Sequence, residues 1–89
     1  MRKIFPTGTF CRDVKRIARR KHDVSALYEI IEYLRIGKDI RLASRPHKLQ
    51  GKYEGCWECH IESDWILIWE YDDDDIILVR TGTHDDLFE

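Results

Sequence analysis

The stretch WECHIESDWILIWEYDDDDIILVRTG, residues 57–82, decides the fold of this chain. Over residues 57–62, hydrophobic and polar residues alternate, which is the period of a strand with one buried face. Residues 66–71 are almost wholly apolar, as expected of a central strand that is covered on both faces. The acidic loop of residues 72–75 cannot be buried, so it joins this strand to another over residues 76–81. The stretch therefore predicts three consecutive antiparallel strands.

Two amphipathic helices are predicted before these strands. The apolar positions of the first helix share one face: Phe10, Val14, Ile17 and Ala18. The opposite face is basic and carries Arg12, Lys15, Arg16, Arg19 and Arg20. The second helix begins near Asp23 or Ser25, either of which can cap it, and Gly37 is a suitable C-terminal stop. Few residues separate the two helices, so they form a hairpin with one packed side and one basic side.

The remaining segments complete an α+β domain. Residues 2–5 predict a short strand that Pro6 ends, and residues 38–52, which show no clear period, predict a loop. Residues 83–88 form a tail that adds a last strand or crosses the sheet. We therefore expect a single domain over residues 1–89, with a helical hairpin packed on an antiparallel β-sheet of four to five strands.

The composition restricts the class of protein. The 89 residues are 43% hydrophobic and 36% charged, which is typical of a small globular domain and not of a disordered chain. No apolar run reaches the roughly 18 residues of a membrane span, and the segment MRKIFPTGTF lacks the apolar core of a signal peptide. We expect a soluble, cytoplasmic protein with no membrane contact. A domain this small gains stability from a tightly bound partner protein.

The charge is divided unevenly along the chain. Residues 1–52 contain 14 lysines and arginines against five acids, a net charge of +9. Residues 53–89 contain Arg80 as their one lysine or arginine against twelve acids, a net charge of −11. A half this basic is typical of a surface that meets nucleic acid or an acidic partner. On charge alone, a well-solvated helical surface without a partner remains an equal alternative.

The three cysteines do not predict a disulfide framework, since their number is odd and the expected compartment is reducing. Cys56 and Cys59 form a C-x-x-C pair, but no second ligand pair accompanies it and no thioredoxin-like βαβ pattern surrounds it. On a strand, a separation of three residues places the two thiols on opposite faces. Zinc or redox chemistry at this pair is therefore disfavoured.

Three of the four histidines lie in the strand-rich half of the chain or in its entry loop. The fourth, His22, lies between the two helices and is predicted to be a solvated loop residue. The candidate site combines the three with two acids and an arginine: His47, His60, His84, Glu58, Asp64 and Arg80. In an antiparallel sheet these residues can converge on one surface.

Such a site suits the cleavage of RNA. The ribose 2′-hydroxyl must lose a proton as it attacks the adjacent phosphate, and the leaving 5′-oxygen must gain one; imidazole titrates near neutrality and serves either step. Arg80 can hold the phosphate by bidentate hydrogen bonds, and Asp64 or Glu58 can orient a histidine or act as the base. This chemistry needs no metal ion, so no cofactor is expected. The alternative is a zinc site with the ligands His47, His60, His84 and Asp64.

Three blocks of the sequence resemble the YafQ family of toxins, within the RelE superfamily. They are HKLQGKY at residues 47–53, WECHIESDWILI at residues 57–68 and LVRTGTHDDLF at residues 78–88. The blocks occur in the same order and are specific together, whereas each alone is a weak signal. The N-terminal half is similar only in its two helices and their lengths.

The resemblance implies a compact RelE-like fold and a ribosome-dependent endoribonuclease that cuts mRNA and so inhibits translation. It further implies a cognate antitoxin protein, with a toxin that is monomeric when free and hetero-oligomeric in the complex. The alternative is a catalytically inactive homologue that only binds an antitoxin or RNA.

The resemblance also implies roles for particular residues. Four residues match catalytic positions of the family: His47, His60, Asp64 and His84. Of these, His84 matches the general acid. Glu58 matches a catalytic acidic position that is often aspartate, and its extra methylene weakens the case for a base there. Arg80 matches a phosphate-binding arginine, and Phe88 matches an aromatic residue that supports activity.

The basic surface is expected to provide affinity and not chemistry. The basic face of the first helix contains no acid–base group, while the acidic half would by itself repel RNA. We therefore expect this face, together with Arg41, Arg45 and Lys48, to dock on ribosomal RNA through phosphate contacts. The same surface can meet an acidic segment of the antitoxin.

Overall fold

The structure is a computed structural model and describes residues 1–37 and 46–88. Within these residues the chain forms five strands and three α-helices: β1 (Ile4–Pro6), α1 (Gly8–Arg19), α2 (Val24–Ile36), β2 (His47–Lys48), β3 (Trp57–Glu62), β4 (Trp65–Asp72), β5 (Asp75–Gly82) and α3 (His84–Phe88). A 3₁₀ turn, Gly51–Tyr53, precedes β3. None of the helices in the described residues is long and apolar enough to cross a membrane.

The strands form one sheet in the order β1-β5-β4-β3-β2. The pairs from β5 to β2 are antiparallel, whereas β1 runs parallel to β5 with Ile4 opposite Ile76. The sheet thus has five strands, within the expected four to five, but it is mixed at one edge and not antiparallel throughout as predicted. Ile4 and Ile76 are far apart in the chain, so no local pattern carries the direction of this pairing.

Both long helices begin at a side-chain cap, and α2 also ends at the predicted glycine. The Thr7 side chain accepts a hydrogen bond from the Phe10 N–H and caps α1, and the Asp23 side chain accepts one from the Ser25 N–H and caps α2. Gly37 follows α2 in the left-handed conformation, with a φ of 76°. The predicted helical hairpin is confirmed.

Strand β4 lies at the centre of the sheet and is buried on both faces, as predicted. Leu67 and Trp69 pack under α1 and α2 in the main core. Ile66 and Ile68 point to the other side, where a smaller apolar cluster includes Leu87 of α3. We call the side of the sheet that carries Ile66 and Ile68 the outer face.

The two cysteines of the C-x-x-C pair lie on opposite sides of this sheet. Cys59 is buried in the main core under the helices, and Cys56 is buried in the cluster on the outer face. Their predicted separation is confirmed, and no disulfide joins them.

An irregularity in the β4–β5 pairing determines where Arg80 lies. Ile68 is opposite Arg80 and Trp69 is opposite Leu78, so Val79 is an extra residue on β5. In a regular strand Leu78 and Arg80 would share a face, because side chains alternate with a period of two. The bulge instead keeps Leu78 in the main core and puts Arg80 on the outer face with Ile68.

The segment after β5 is a short helix, α3, and not the strand or sheet crossing that the sequence suggested. Thr83 Oγ1 accepts a hydrogen bond from the Asp86 N–H at 3.2 Å, and the Asp86 carboxylate accepts one from the Thr83 N–H at 3.0 Å. This reciprocal capping starts the helix. A Cβ atom at Gly82 would lie 2.9 Å from Asp86 Oδ2, so any side chain at position 82 would displace the capping carboxylate.

Candidate active site

The outer face collects most of the predicted site residues. Residues that lie opposite each other on neighbouring strands form two rows across this face. The first row contains His47, Glu58, Ile68 and Arg80. The second row contains His60, Ile66 and Gly82. Residues directly opposite each other share a face, and Ile66 and Ile68 identify it as the outer one. Neighbouring strands are about 4.8 Å apart, so about 10 Å separates the backbones at Glu58 and Arg80.

His84 stands at the start of α3, beside these rows. Its side chain is exposed, and its ring centroid lies 4.7 Å from that of Phe88. Its backbone N–H donates to Asp64 Oδ1 at 3.2 Å, which ties the β3–β4 turn to α3. Asp64 thus holds the main chain of His84, whereas the sequence had suggested a contact with an imidazole or a role as base.

An aromatic pair connects α3 to the middle of the site. Phe88 and Tyr53 meet edge to face with ring centroids 5.4 Å apart. Tyr53 Oη donates to the Leu87 carbonyl at 2.8 Å and accepts from Arg80 Nη1 at 3.4 Å. Sequence reasoning missed Tyr53, although it ends the first of the three family-like blocks.

Arg80 is held by a buried carboxylate. Its Nε donates to Asp13 Oδ2 at 2.6 Å and its Nη2 donates to Asp13 Oδ1 at 3.0 Å. Hydrogen bonding to Asp13, with the charge of that carboxylate, raises the pKa of Arg80, so the guanidinium stays protonated. Of its five N–H groups, two donate to Asp13 and one donates to Tyr53, and the other two have no partner among residues 1–37 and 46–88. One bidentate edge of the guanidinium is therefore already occupied by Asp13.

Asp13 belongs to α1 and closes an open edge of the sheet. β1 pairs with β5 only as far as Leu78, and beyond it the Thr81 N–H donates to Asp13 Oδ2 at 3.1 Å. Arg16 Nη2 donates to Asp13 Oδ1 at 2.6 Å. Sequence reasoning missed Asp13, although a signal exists. It follows Phe10 by three residues and so places a charge on the apolar face of the helix.

Glu58 lies at the other end of the first row. It is half-buried, and its Oε2 is buried without a hydrogen-bond partner among the described residues. His47, directly opposite on β2, and His60, two residues along β3, are both exposed. Glu58 therefore shares the outer face with two exposed imidazoles.

Some predicted RNA-binding residues do not join this face. Lys48 lies opposite Trp57, and Trp57 packs on the helix side of the sheet. Lys48 is therefore on the face opposite to that of His47. Arg41 and Arg45 lie outside the described residues. The role predicted for these three cations stays a prediction.

His22 is not the solvated loop residue that the sequence predicted. It is half-buried, its ring centroid lies 5.1 Å from that of Trp65, and its Nδ1 lies 3.8 Å from the Glu62 carboxylate. His22 therefore packs between the helical hairpin and the start of β4.

No cluster of metal ligands is present in the described parts of the chain. Across residues 1–37 and 46–88, no three histidine, cysteine, aspartate or glutamate side chains are grouped to hold a metal ion. The alternative zinc set, which needed His47, His60, His84 and Asp64 around one point, is not assembled in this arrangement.

The chain was compared with known proteins. Residues 2–89 match the family described as bacterial toxin of type II toxin–antitoxin system, YafQ. The mRNA interferase toxin YafQ of Escherichia coli strain K12 is 36% identical, over 98% of this chain and 96% of that protein. A copper-bound mutant toxin from Helicobacter pylori is 34% identical with a TM-score of 0.90, over 99% and 100% of the two chains. In the E. coli DinJ–YafQ toxin–antitoxin complex, a chain is 34% identical with a TM-score of 0.89, over 99% and 98%.

These full-length similarities define the class of protein as a small α+β toxin of bacterial type II toxin–antitoxin systems. Within that class, the chain belongs to the YafQ family. The resemblance carried by the three sequence blocks is thus confirmed, and so is the α+β fold that it implied.

Proposed function

We propose that this chain is an endoribonuclease that cleaves mRNA on the ribosome and thereby inhibits translation. The observation that carries the proposal is the position of His84. His84 is exposed, its backbone N–H donates to Asp64, and its ring lies tilted against that of Phe88. It adjoins the face that carries the guanidinium of Arg80. The name of the E. coli relative, mRNA interferase, supports the choice of substrate.

The proposed reaction assigns each proton a donor and an acceptor. Glu58, or His47 or His60, takes the proton of the 2′-hydroxyl as its oxygen bonds to phosphorus. His84 gives a proton to the 5′-oxygen as the phosphorus–oxygen bond to it breaks. Arg80 donates its remaining N–H groups to the phosphate oxygens and stabilises their developing charge. The products are a 2′,3′-cyclic phosphate and a 5′-hydroxyl.

The first prediction tests the general acid. Replacing His84 by alanine is expected to lower the rate of cleavage by about 10²–10⁴-fold, because the leaving oxygen loses its proton donor. The thermal unfolding temperature should change little, since the side chain is exposed. The measurement is single-turnover cleavage of mRNA on purified ribosomes, followed by mapping of the RNA ends.

The matched control is Asp85→Ala, which alters the next exposed residue of α3. It is expected to keep the wild-type rate. If His84→Ala cleaves as fast as the wild type, the assigned role is wrong. If the wild-type chain binds ribosomes and leaves the mRNA intact, the catalytically inactive homologue is the correct description.

The second prediction concerns metal ions. We propose that the acid–base groups and Arg80 suffice, so wild-type protein freed of bound metal should cleave at its full rate. Ribosomes require magnesium independently, so the toxin alone is treated with chelator before mixing. The copper-bound relative makes this test necessary. Stoichiometric metal whose removal abolishes cleavage and whose return restores it would overturn the prediction.

We further propose a cognate antitoxin that binds this chain in the cytoplasm and blocks cleavage, with the free toxin monomeric. The similar chain in the DinJ–YafQ complex supports such a partner. Co-expression of the candidate antitoxin with this chain should give a stable hetero-oligomer and restore growth. Growth arrest that persists despite formation of the complex would contradict neutralisation.

A further inference from the structure

We propose that Asp13 is a positioning residue of the ribonuclease site, which fixes the guanidinium of Arg80 so that its remaining N–H groups face the substrate phosphate. The inference rests on the proposed function and adds a residue that the family-like motifs do not contain. It is carried by the contacts of Asp13, by its burial and by the place of Arg80 at the β5 bulge.

Both oxygens of the Asp13 carboxylate are occupied. Oδ2 accepts from Arg80 Nε at 2.6 Å and from the Thr81 N–H at 3.1 Å. Oδ1 accepts from Arg80 Nη2 at 3.0 Å and from Arg16 Nη2 at 2.6 Å. A carboxylate that is only 1% exposed would be costly without such partners. With them, it is a rigid acceptor that matches the planar fork of an arginine.

The hydrogen bond to the Thr81 N–H at the open edge of the sheet does not by itself explain why residue 13 is an aspartate. The Thr81 N–H needs one acceptor, which a neutral asparagine would also provide. The negative charge and the second carboxylate oxygen of Asp13 form the ion pairs with Arg16 and Arg80. The bidentate pair with Arg80 is therefore the feature that specifically requires aspartate.

The pairing sets the direction of the guanidinium. Asp13 engages the edge formed by Nε and Nη2, and Tyr53 Oη accepts from Nη1 on the side of α3. Arg80 thus lies between a helix on one side of the sheet and the aromatic pair on the other. Its two unused N–H groups are held in a fixed orientation before any ligand arrives, and preorganised donors stabilise a transition state better than donors that must reorient.

The face of α1 that carries Asp13 also forms ion pairs with α3. Arg20 donates to the Asp86 carboxylate at 2.7 and 3.2 Å, and Arg16 Nε lies 3.8 Å from it. Opposite charges therefore alternate from Arg80 through Asp13, Arg16 and Asp86 to Arg20. One helix face holds both the phosphate-binding arginine and the helix that carries the general acid.

The test is Asp13→Asn, which keeps the shape and one acceptor for the Thr81 N–H but loses the bidentate ion pair. The maximal single-turnover rate should fall by about tenfold to a hundredfold, as expected for a displaced catalytic group. The toxin concentration that gives half the maximal rate should stay unchanged. Asp23→Asn, a matched change at the exposed cap of α2, should alter neither quantity, since asparagine caps as well as aspartate.

A double variant tests whether Asp13 acts through Arg80. Arg80→Gln combined with Asp13→Asn should cleave no more slowly than Arg80→Gln alone, because both changes remove the same positioned guanidinium. A wild-type rate in folded Asp13→Asn, or rate losses that multiply in the double variant, would overturn the inference. Wild-type protein that does not cleave at all would instead refute the proposed function.

The wild-type protein also provides a test that needs no variant. In ¹⁵N–¹H spectra the Arg80 Nε–H should exchange slowly with water, and rotation about its Nε–Cζ bond should be slow. A freely rotating, rapidly exchanging Arg80 in the wild type would contradict the inference. This readout applies even if Asp13→Asn fails to fold.

Discussion

Glu58 lies on the face that carries the histidines, and one of its carboxylate oxygens is buried without a hydrogen-bond partner among the described residues. If this oxygen takes the 2′-proton, Glu58→Gln removes the base and keeps the shape of the side chain. We expect the single-turnover rate to fall by about 10²–10⁴-fold with little change in thermal unfolding. Unchanged cleavage by the folded variant would transfer the role of base to His47 or His60.

Cys59 illustrates how burial controls a single group. Burial, with the nearby charge of Glu58 as a smaller cause, raises the pKa of Cys59 to about 12. The protonated thiol therefore contributes stability that is complete below the ordinary thiol pKa of about 8.5 and is lost as the pH rises toward 12.

The corresponding prediction is a difference in thiol reactivity. At neutral pH a thiol reagent should modify the exposed Cys11 and leave Cys59 untouched until the protein is unfolded in urea. Counting the modified thiols by mass spectrometry, with and without urea, checks this. Modification of Cys59 in the native protein at the rate of Cys11 would show that β3 opens far more often than its burial implies.

At the scale of elements, α3 depends on its first-turn carboxylate. Hydrogen bonding to Arg20, assisted by the Thr83 backbone and side chain, holds the pKa of Asp86 well below its usual range, against a smaller opposing effect of burial. A depressed carboxyl pKa means that Asp86 stabilises the fold above its unfolded pKa of about 3.9. That contribution is lost as the pH falls further.

Asp86→Asn is therefore expected to lower stability at pH 7 by on the order of 1 kcal/mol, through the weakened cap and ion pair. The difference from the wild type should shrink as the pH falls below about 4, where Asp86 of the unfolded chain takes up a proton while Asp86 of the folded chain stays charged. Urea unfolding at several pH values measures both. A difference that is the same at pH 7 and in acid would show that the charge of Asp86 does not contribute.

At the scale of the whole molecule, α1 carries a basic surface, whereas the candidate catalytic residues lie in the strand-rich, acidic half. A cleft of about 530 Å³ beside α1 is lined by Arg12, Lys15 and Arg19, among others, and reaches Arg80. The basic surface is thus continuous with the proposed site. The five cations of α1 are not equivalent, however, because Arg16 and Arg20 form ion pairs with Asp13 and Asp86.

This difference decides which charges to reverse. Reversing the charge of Arg16 would disturb the buried carboxylate of Asp13. Lys15 and Arg19 form no ion pair within residues 1–37 and 46–88, so Lys15→Glu with Arg19→Glu is the cleaner test. The double variant should bind ribosomes more weakly, and the slope of log affinity against log salt should flatten by about 1 to 2. The cleavage pattern on bound mRNA should not change.

The control for that experiment is Lys3→Glu with Lys21→Glu, which changes the net charge equally at exposed positions away from the cleft. It should bind ribosomes almost as the wild type does. Equal loss of affinity in both double variants would attribute binding to net charge and not to the α1 surface. Wild-type affinity and salt slope in Lys15→Glu with Arg19→Glu would show the face to be solvated surface.

Local sequence determined the helices, the three long strands and the separation of Cys56 from Cys59. These features depend on the repeat of side chains, about every 3.6 residues in a helix and every 2 in a strand, and on helix caps such as Asp23 and Gly37. Each of these signals acts within a few residues. The three blocks that identify the family are likewise short. For the same reason, the histidines of the candidate site could be listed before the fold was known.

Tertiary structure alone decided the parallel pairing of β1, the bulge at Val79 and the pairing of Asp13 with Arg80. In the sequence, the position of Asp13 on the apolar face of α1 indicates burial, but no local pattern identifies Arg80 as its partner. Its role arises only when α1 packs along the open edge of β5, where desolvation makes an unpaired charge or N–H costly and specific partners necessary.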